Sequence, residues 1–163
     1  MAPYIQNTLD ELDASAKRQA AHEAVVEGAE APDFTLPTPD GSTLSLHDFR
    51  GRWVMLDFWG SWCVWCIRGI PTLKELYAKY SDKIEFLSIA CNDTDEKWRA
   101  AMEKNQMPWL QAFNLENTDN DVDTKMGIQA YPSFYFINPD GKIAKIFVGE
   151  SDEFKQFFRD TFK

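Results

Sequence analysis

Three things are scarce in this 163-residue chain: histidine, cysteine and positive charge. The only histidines are His22 and His47, and neither sits at a ligand-like spacing from the three cysteines. A structural zinc site needs four such ligands, so a metal reading of the cysteines is disfavoured and no metal site is expected. Three cysteines are also too few for a disulfide scaffold, and their odd number leaves one over. Against 26 acidic side chains stand 17 basic ones, a formal charge of −9. Nucleic acid is therefore not an expected partner, because binding there depends on basic contacts to phosphate. Apolar runs long enough to span a bilayer are missing, as is a signal-peptide pattern of basic, apolar and small residues. The expectation is a cytosolic chain or a mature or trimmed form of an exported one. Its length suits one domain with a sizeable core.

The densest information lies in Trp62-Cys63-Val64-Trp65-Cys66. The hydrophobic run Trp53–Trp59 before it reads as a buried strand, Gly60-Ser61 as a turn, and residues from Cys63 to about Tyr80 as a helix. Leu73, Leu76, Tyr77 and Tyr80 give that helix an apolar face, and Pro71 inside it is expected to kink it. A dithiol at a helix start places the first sulfur where backbone N–H dipoles favour negative charge. The thiolate is the nucleophile in disulfide exchange. Lowering a cysteine from about 8.5 to about 7 raises its thiolate fraction some fifteenfold from ~3 %. Falling intrinsic nucleophilicity gives back roughly sixfold, so a low pKa serves at least as much to make the sulfur a good leaving group.

Along the rest of the chain, Thr8 and Glu11 match a capping box, and Ile5, Leu9, Leu12 and Ala16 recur at helical spacing. Residues 1–27 thus read as a leading helix or linker ended by Gly28, ahead of a domain at 28–163. Ala31–Leu36 and Thr43–Leu46 around Pro39-Asp40-Gly41 form a short hairpin. Ile84–Ala90 is a second buried strand. The acidic turn Asn92–Glu96 caps a helix through Trp98, and Trp109–Phe113 is a further strand. A short helix stops at Gly127. Ser133–Ile137 and Ile143–Val148 flank the Asn138–Gly141 turn, and Ser151 caps a last helix carrying Phe154, Phe157 and Phe158.

This order resembles thioredoxin-fold oxidoreductases in Asp57-Phe58-Trp59, Trp62-Cys63-x-x-Cys66 and Pro71, then in Gly127-Ile128, Tyr131-Pro132, Asp140-Gly141 and Gly149. The leader Ala31-Pro32-Asp33-Phe34, with Asp40-Gly41 and Leu46-x-x-Phe49-x-Gly51, is similar to the TlpA/ResA branch and related to AhpC/TSA leaders. So is the helix and strand inserted between Cys91 and Phe113. The resemblance implies a thioredoxin-like three-layer α/β/α sandwich with a mixed central sheet, an N-terminal hairpin and an inserted helix-strand.

It further implies a protein thiol-disulfide oxidoreductase that needs no dissociable cofactor. Cys63 would attack, Cys66, the more buried thiol, would resolve, and Asp57 would be the buried general base. An aspartate inside an apolar strand is costly when charged, so its pKa should be raised. Thioredoxins pair this position with a lysine, and none lies in Phe86–Ala90. Pro132 should follow a cis bond, a state that only about 5–6 % of X-Pro bonds adopt, and free the Tyr131 backbone to pair with a substrate chain. Trp62 and Trp65 are the contact candidates, while Trp59 and Cys91 read as core. The family often has proline before the second cysteine; here Val64-Trp65 intervene, at positions that alter the relative stability of dithiol and disulfide, and the direction of electron flow is not read from them. They supply no positive charge, leaving the helix N-terminus and Arg68 to stabilise a thiolate.

The implied partners are protein disulfides or dithiols and a redox partner protein, with any membrane tether or larger parent chain outside this sequence. The implied activity is reductive, in the bacterial periplasm or at the outer face of a membrane, with the cytoplasm as the alternative setting. A peroxiredoxin-type peroxidase and a non-catalytic thioredoxin-fold binding module are the rival readings. The first is disfavoured by the W-C-x-x-C context of the cysteine, the second by the intact cysteine pair.

Overall fold

A computed structural model describes the backbone from Pro3 to Lys163 and the side chains from Leu12 onwards. Its frame is a five-stranded mixed sheet in the order β5-β4-β3-β6-β7. The strands are β3 (Trp53–Trp59), β4 (Ile84–Ala90), β5 (Leu110–Phe113), β6 (Ser133–Ile137) and β7 (Ile143–Val148). Strands β3, β4 and β5 run parallel, whereas β6 is antiparallel to both β3 and β7. The parallel links need crossovers, supplied by α2 (Val64–Tyr80) and α3 (Asp95–Asn105). Antiparallel β6 and β7 need only the Asn138–Gly141 turn, where Gly141 takes φ +82. The hairpin of β1 (Thr35–Pro37) and β2 (Thr43–Ser45) forms a separate small sheet.

Alternation along β3 divides the core. Val54, Leu56 and Phe58 point to the face covered by the hairpin, α4 (Val122–Met126) and Val25. Met55, Asp57 and Trp59 occupy the opposite face, where Ile70, Leu73 and Leu76 of α2 pack with Phe154 and Phe158 of α5 (Asp152–Thr161). Each face buries a layer of helix or hairpin, giving the expected three-layer sandwich of the thioredoxin-like fold. Helix α2 runs unbroken through Pro71. Ser151 caps α5 by accepting from the Phe154 amide at 3.2 Å.

The leading helix departs from its expected form. Helix α1 spans Pro3–Ala24, so Thr8 lies within it and does not begin it. The expected contacts of Ile5, Leu9 and Glu11 lie outside the described residues. Leu12 and Ala16 face solvent, whereas Ala14, Arg18, Ala21 and Val25 form the packed stripe. The stripe rests on α4: His22 Nδ1 lies 3.0 Å from the Gly127 carbonyl oxygen, and Arg18 approaches Asp123 at 3.6 Å. A Cβ at Gly127 would collide with the His22 backbone, and its φ of +66 also suits glycine.

Candidate active site

Strand β3 delivers the chain to the dithiol through Gly60-Ser61, and a side chain at Gly60 would strike the Trp62 ring. The turn is held by Asp93, which accepts from both the amide and the hydroxyl of Ser61 at 2.7 Å. Thr94, one residue on, is the N-cap of α3. The acidic stretch therefore caps a helix as expected and also fastens the active-site loop, a role that sequence spacing did not reveal.

Cys63 is the N-cap of α2, and its sulfur accepts from the Cys66 amide at 3.1 Å. The two cysteines are joined as a disulfide. In this oxidised form both are buried, Cys63 at 5 % and Cys66 at 3 % exposure, so the asymmetry expected between them is small. Cys91 is a free, fully buried thiol, and burial pushes its pKa well up. Among the described residues no group of three or more His, Cys, Asp or Glu side chains is arranged to hold a metal.

Asp57 lies on the α2 side of the sheet at 3 % exposure. Its parallel register partner on β4 is Ser88, which donates a 2.6 Å hydrogen bond to the carboxyl. Ser88 in turn accepts from the Trp109 indole N–H at 2.7 Å. A neutral Trp–Ser relay therefore stands where the resemblance would call for a lysine. Burial pushes the Asp57 pKa up to about 7, the Ser88 hydrogen bond opposes the rise, and Glu150 adds to it. Neither Ser88 nor Trp109 was foreseen, since pairing them with Asp57 needs the strand register.

Around the disulfide, Trp62, Val64 and Trp65 are 48 %, 58 % and 68 % exposed, whereas Trp59 is core. The Trp62 indole N–H donates to the Cys91 carbonyl at 2.8 Å and its ring meets Tyr131 edge-on at 5.2 Å. Arg68, expected to assist the thiolate, has its guanidinium 5.2 Å from the centre of the Trp65 ring. The Tyr131–Pro132 bond is cis. Tyr131 donates its hydroxyl to Asp123 at 2.6 Å, and Asp123 is the carboxylate approached by Arg18. That link between the leading helix and the cis-proline loop was absent from the sequence reading.

A disulfide at the start of a helix, backed by a buried carboxyl of raised pKa, defines a thioredoxin-fold redox protein. The comparisons with known proteins agree. Residues 27–146 match the model of the AhpC/TSA family. The chain is 30 % identical over 124 residues to the thiol-disulfide oxidoreductase ResA of Bacillus thuringiensis subsp. konkukian, covering 76 % of this chain and 70 % of that one. To the ResA of Bacillus subtilis it is 28 % identical over 136 residues, covering 82 % and 74 %. The solved thioredoxin domain of a thiol-disulfide oxidoreductase from Bacteroides vulgatus superposes with a TM-score of 0.77 at 26 % identity, covering 85 % of this chain and 99 % of that domain. The chain belongs to the AhpC/TSA family and, within it, to the ResA-type thiol-disulfide oxidoreductases.

Proposed function

We propose that the protein reduces disulfides in partner proteins, with Cys63 as nucleophile, Cys66 as resolving thiol and Asp57 as proton acceptor. The observation that carries the reading is Cys63 at the N-cap of α2, bonded to Cys66 and accepting the Cys66 amide hydrogen. In the reduced enzyme the same amide and the helix dipole stabilise a Cys63 thiolate. That thiolate attacks a partner disulfide, forming a Cys63–partner S–S bond while the first partner sulfur leaves as a thiolate. Cys66 then gives its proton to Asp57 and attacks the Cys63 sulfur. The Cys63–Cys66 bond forms, the second partner sulfur departs with its electron pair, and two electrons have passed to the partner.

The raised pKa of Asp57 supports its role quantitatively. Moving a proton from a thiol near 8.5 to an ordinary aspartate near 3.9 is uphill by ~6 kcal/mol. With a carboxylate at about 7 the cost falls to roughly 2 kcal/mol. About half of such a group is ionised at neutral pH and ready to accept.

Trp62, Trp65, Tyr131 and Pro132 form the platform for the partner. The exposed tryptophans supply apolar contact, and the backbone before the cis bond supplies strand-like pairing. In this reading residues 28–163 are the catalytic domain and residues 1–27 its leading helix. The setting is an oxidising one, the periplasm or the outer face of a bacterial membrane.

Trapping tests the assignment. Cys66→Ser should accumulate a mixed disulfide between Cys63 and a partner protein, reversed by dithiothreitol and absent from the Cys63→Ser, Cys66→Ser double variant. Adducts that survive loss of Cys63, or none from cells lysed in acid, would overturn the protein-substrate reading.

A further inference from the structure

Helix α2 carries a glycine where a glycine is costly. Gly69 is buried within the helix, one turn beyond Cys66. In such a position it sacrifices about 1 kcal/mol relative to alanine. Its φ is ordinary, so backbone conformation does not explain it. Space does: a Cβ at Gly69 would collide with the carboxylate of Glu150. The glycine leaves a notch in the helix, and the carboxylate fills it.

Glu150 is held there by its neighbours. It follows Gly149, whose φ is +81 and whose amide donates to the carbonyl of Pro132 at 3.0 Å. The glutamate is thus tied by one residue to the cis-proline loop. Its Oε1 is buried and meets no hydrogen-bond partner among the described residues. A buried carboxyl oxygen without a donor is expensive, and in a protein this usually means that the group holds a proton or serves the chemistry. Asp57 faces α2 from β3, and its register partner on β6 is Phe134, two residues after the Pro132 whose carbonyl accepts from the Gly149 amide. The charge of Glu150 adds to the rise in the Asp57 pKa.

We propose that Glu150 is a positioning residue for the dithiol: from the Gly69 notch its carboxylate acts on Asp57, and the two carboxyls titrate as one coupled pair beneath the first turns of α2. This inference rests on the role assigned to Asp57. Ser88 and, through it, Trp109 face Asp57 from the sheet side, and the Cys63–Cys66 pair lies in the same layer. Lys155 of α5 is the cation near Glu150 and favours its charged form, against the effect of burial. A charged Glu150 makes Asp57 a stronger base, so Asp57 accepts the Cys66 proton more readily. When Asp57 is charged, Glu150 is in turn driven to hold the proton.

The test is a pH titration of carboxyl carbon resonances in the oxidised full chain. In the native protein the Asp57 signal should move in two steps, the signature of a coupled pair. Glu150→Gln should reduce this to one step and lower its midpoint by about one pH unit, tenfold in the ratio of protonated to ionised form at a given pH. Gly69→Ala, which fills the notch, should displace the carboxylate and shift the midpoint the same way. A single-step Asp57 titration in the native protein, or an unchanged midpoint in both variants, overturns the inference. The pH profile of single-turnover disulfide formation, taken on native, Glu150→Gln and Asp57→Asn proteins, separates it from the reading beneath. A rate that depends on Asp57 but not on Glu150 removes Glu150 alone. A rate indifferent to Asp57→Asn at every pH removes both.

Discussion

Replacing Asp57 by asparagine should make the oxidised protein more stable at alkaline pH and leave it little changed in acid. Below the unfolded value of 3.8 both folded and unfolded chains carry the Asp57 proton, so the group adds no pH dependence. Above 3.8 the unfolded chain releases a proton that the native state keeps until about pH 7. Stability therefore falls across that window and levels off beyond it. Roughly three pH units at 1.36 kcal/mol each amount to about 4 kcal/mol. Asparagine keeps the shape without the charge and loses ~1 kcal/mol in its weaker hydrogen bond with Ser88. The variant should gain about 2–4 kcal/mol over the native protein at pH 8 and close to nothing, or slightly less than nothing, at pH 4. Guanidinium unfolding of both proteins at the two pH values measures the difference, and contributions from groups not coupled to Asp57 cancel in it. Using the oxidised form keeps thiol titration out of the result. A stability difference that is the same at pH 4 and pH 8 would refute the claim that Asp57 is buried and held protonated. Gained stability should coincide with slowed resolution of the mixed disulfide, since the proton acceptor is the group removed.

Ser88→Ala removes the hydrogen bond that holds the Asp57 pKa down and strands the Trp109 indole N–H. The midpoint of the Asp57-linked stability change should move to higher pH, and the protein should lose about 1–3 kcal/mol in the same unfolding assay. An unmoved midpoint would show that the relay does not reach Asp57. In the reduced native protein, a thiol reagent should find the Cys63–Cys66 pair quickly and Cys91 only on unfolding, because Cys91 is fully buried with a raised pKa. Rapid modification of a third thiol would contradict that placement, and altered electron transfer in Cys91→Ser would make it a third redox group.

Much of the fold was legible because it is written locally. A hydrophobic run, a Gly-Ser turn and a helical apolar stripe lie within some thirty residues of the dithiol, and each follows from sequence spacing. The same holds for the Asn138–Gly141 turn and the Ser151 cap. The leading helix was legible as a helix but not by its buried face. Leu12 is exposed and Arg18 packs inward, because burial there is decided by α4, about a hundred residues away. The cis bond before Pro132 came from resemblance, since a minority backbone state has no local signature. The cysteines and Asp57 were found by their place in a motif, but the groups around Asp57 were not. Ser88 reaches Asp57 through parallel strand register, Trp109 reaches Ser88 from the residue before β5, and Glu150 lies against α2 in a notch that Gly69 leaves in the helix. Sequence sets which residues alternate along one strand or recur on one helix, since those periods are properties of the backbone alone. Which buried carboxyl meets which neighbour, and so how strongly each holds its proton, depends on distances that exist only once the strands are paired and the helices are laid across them.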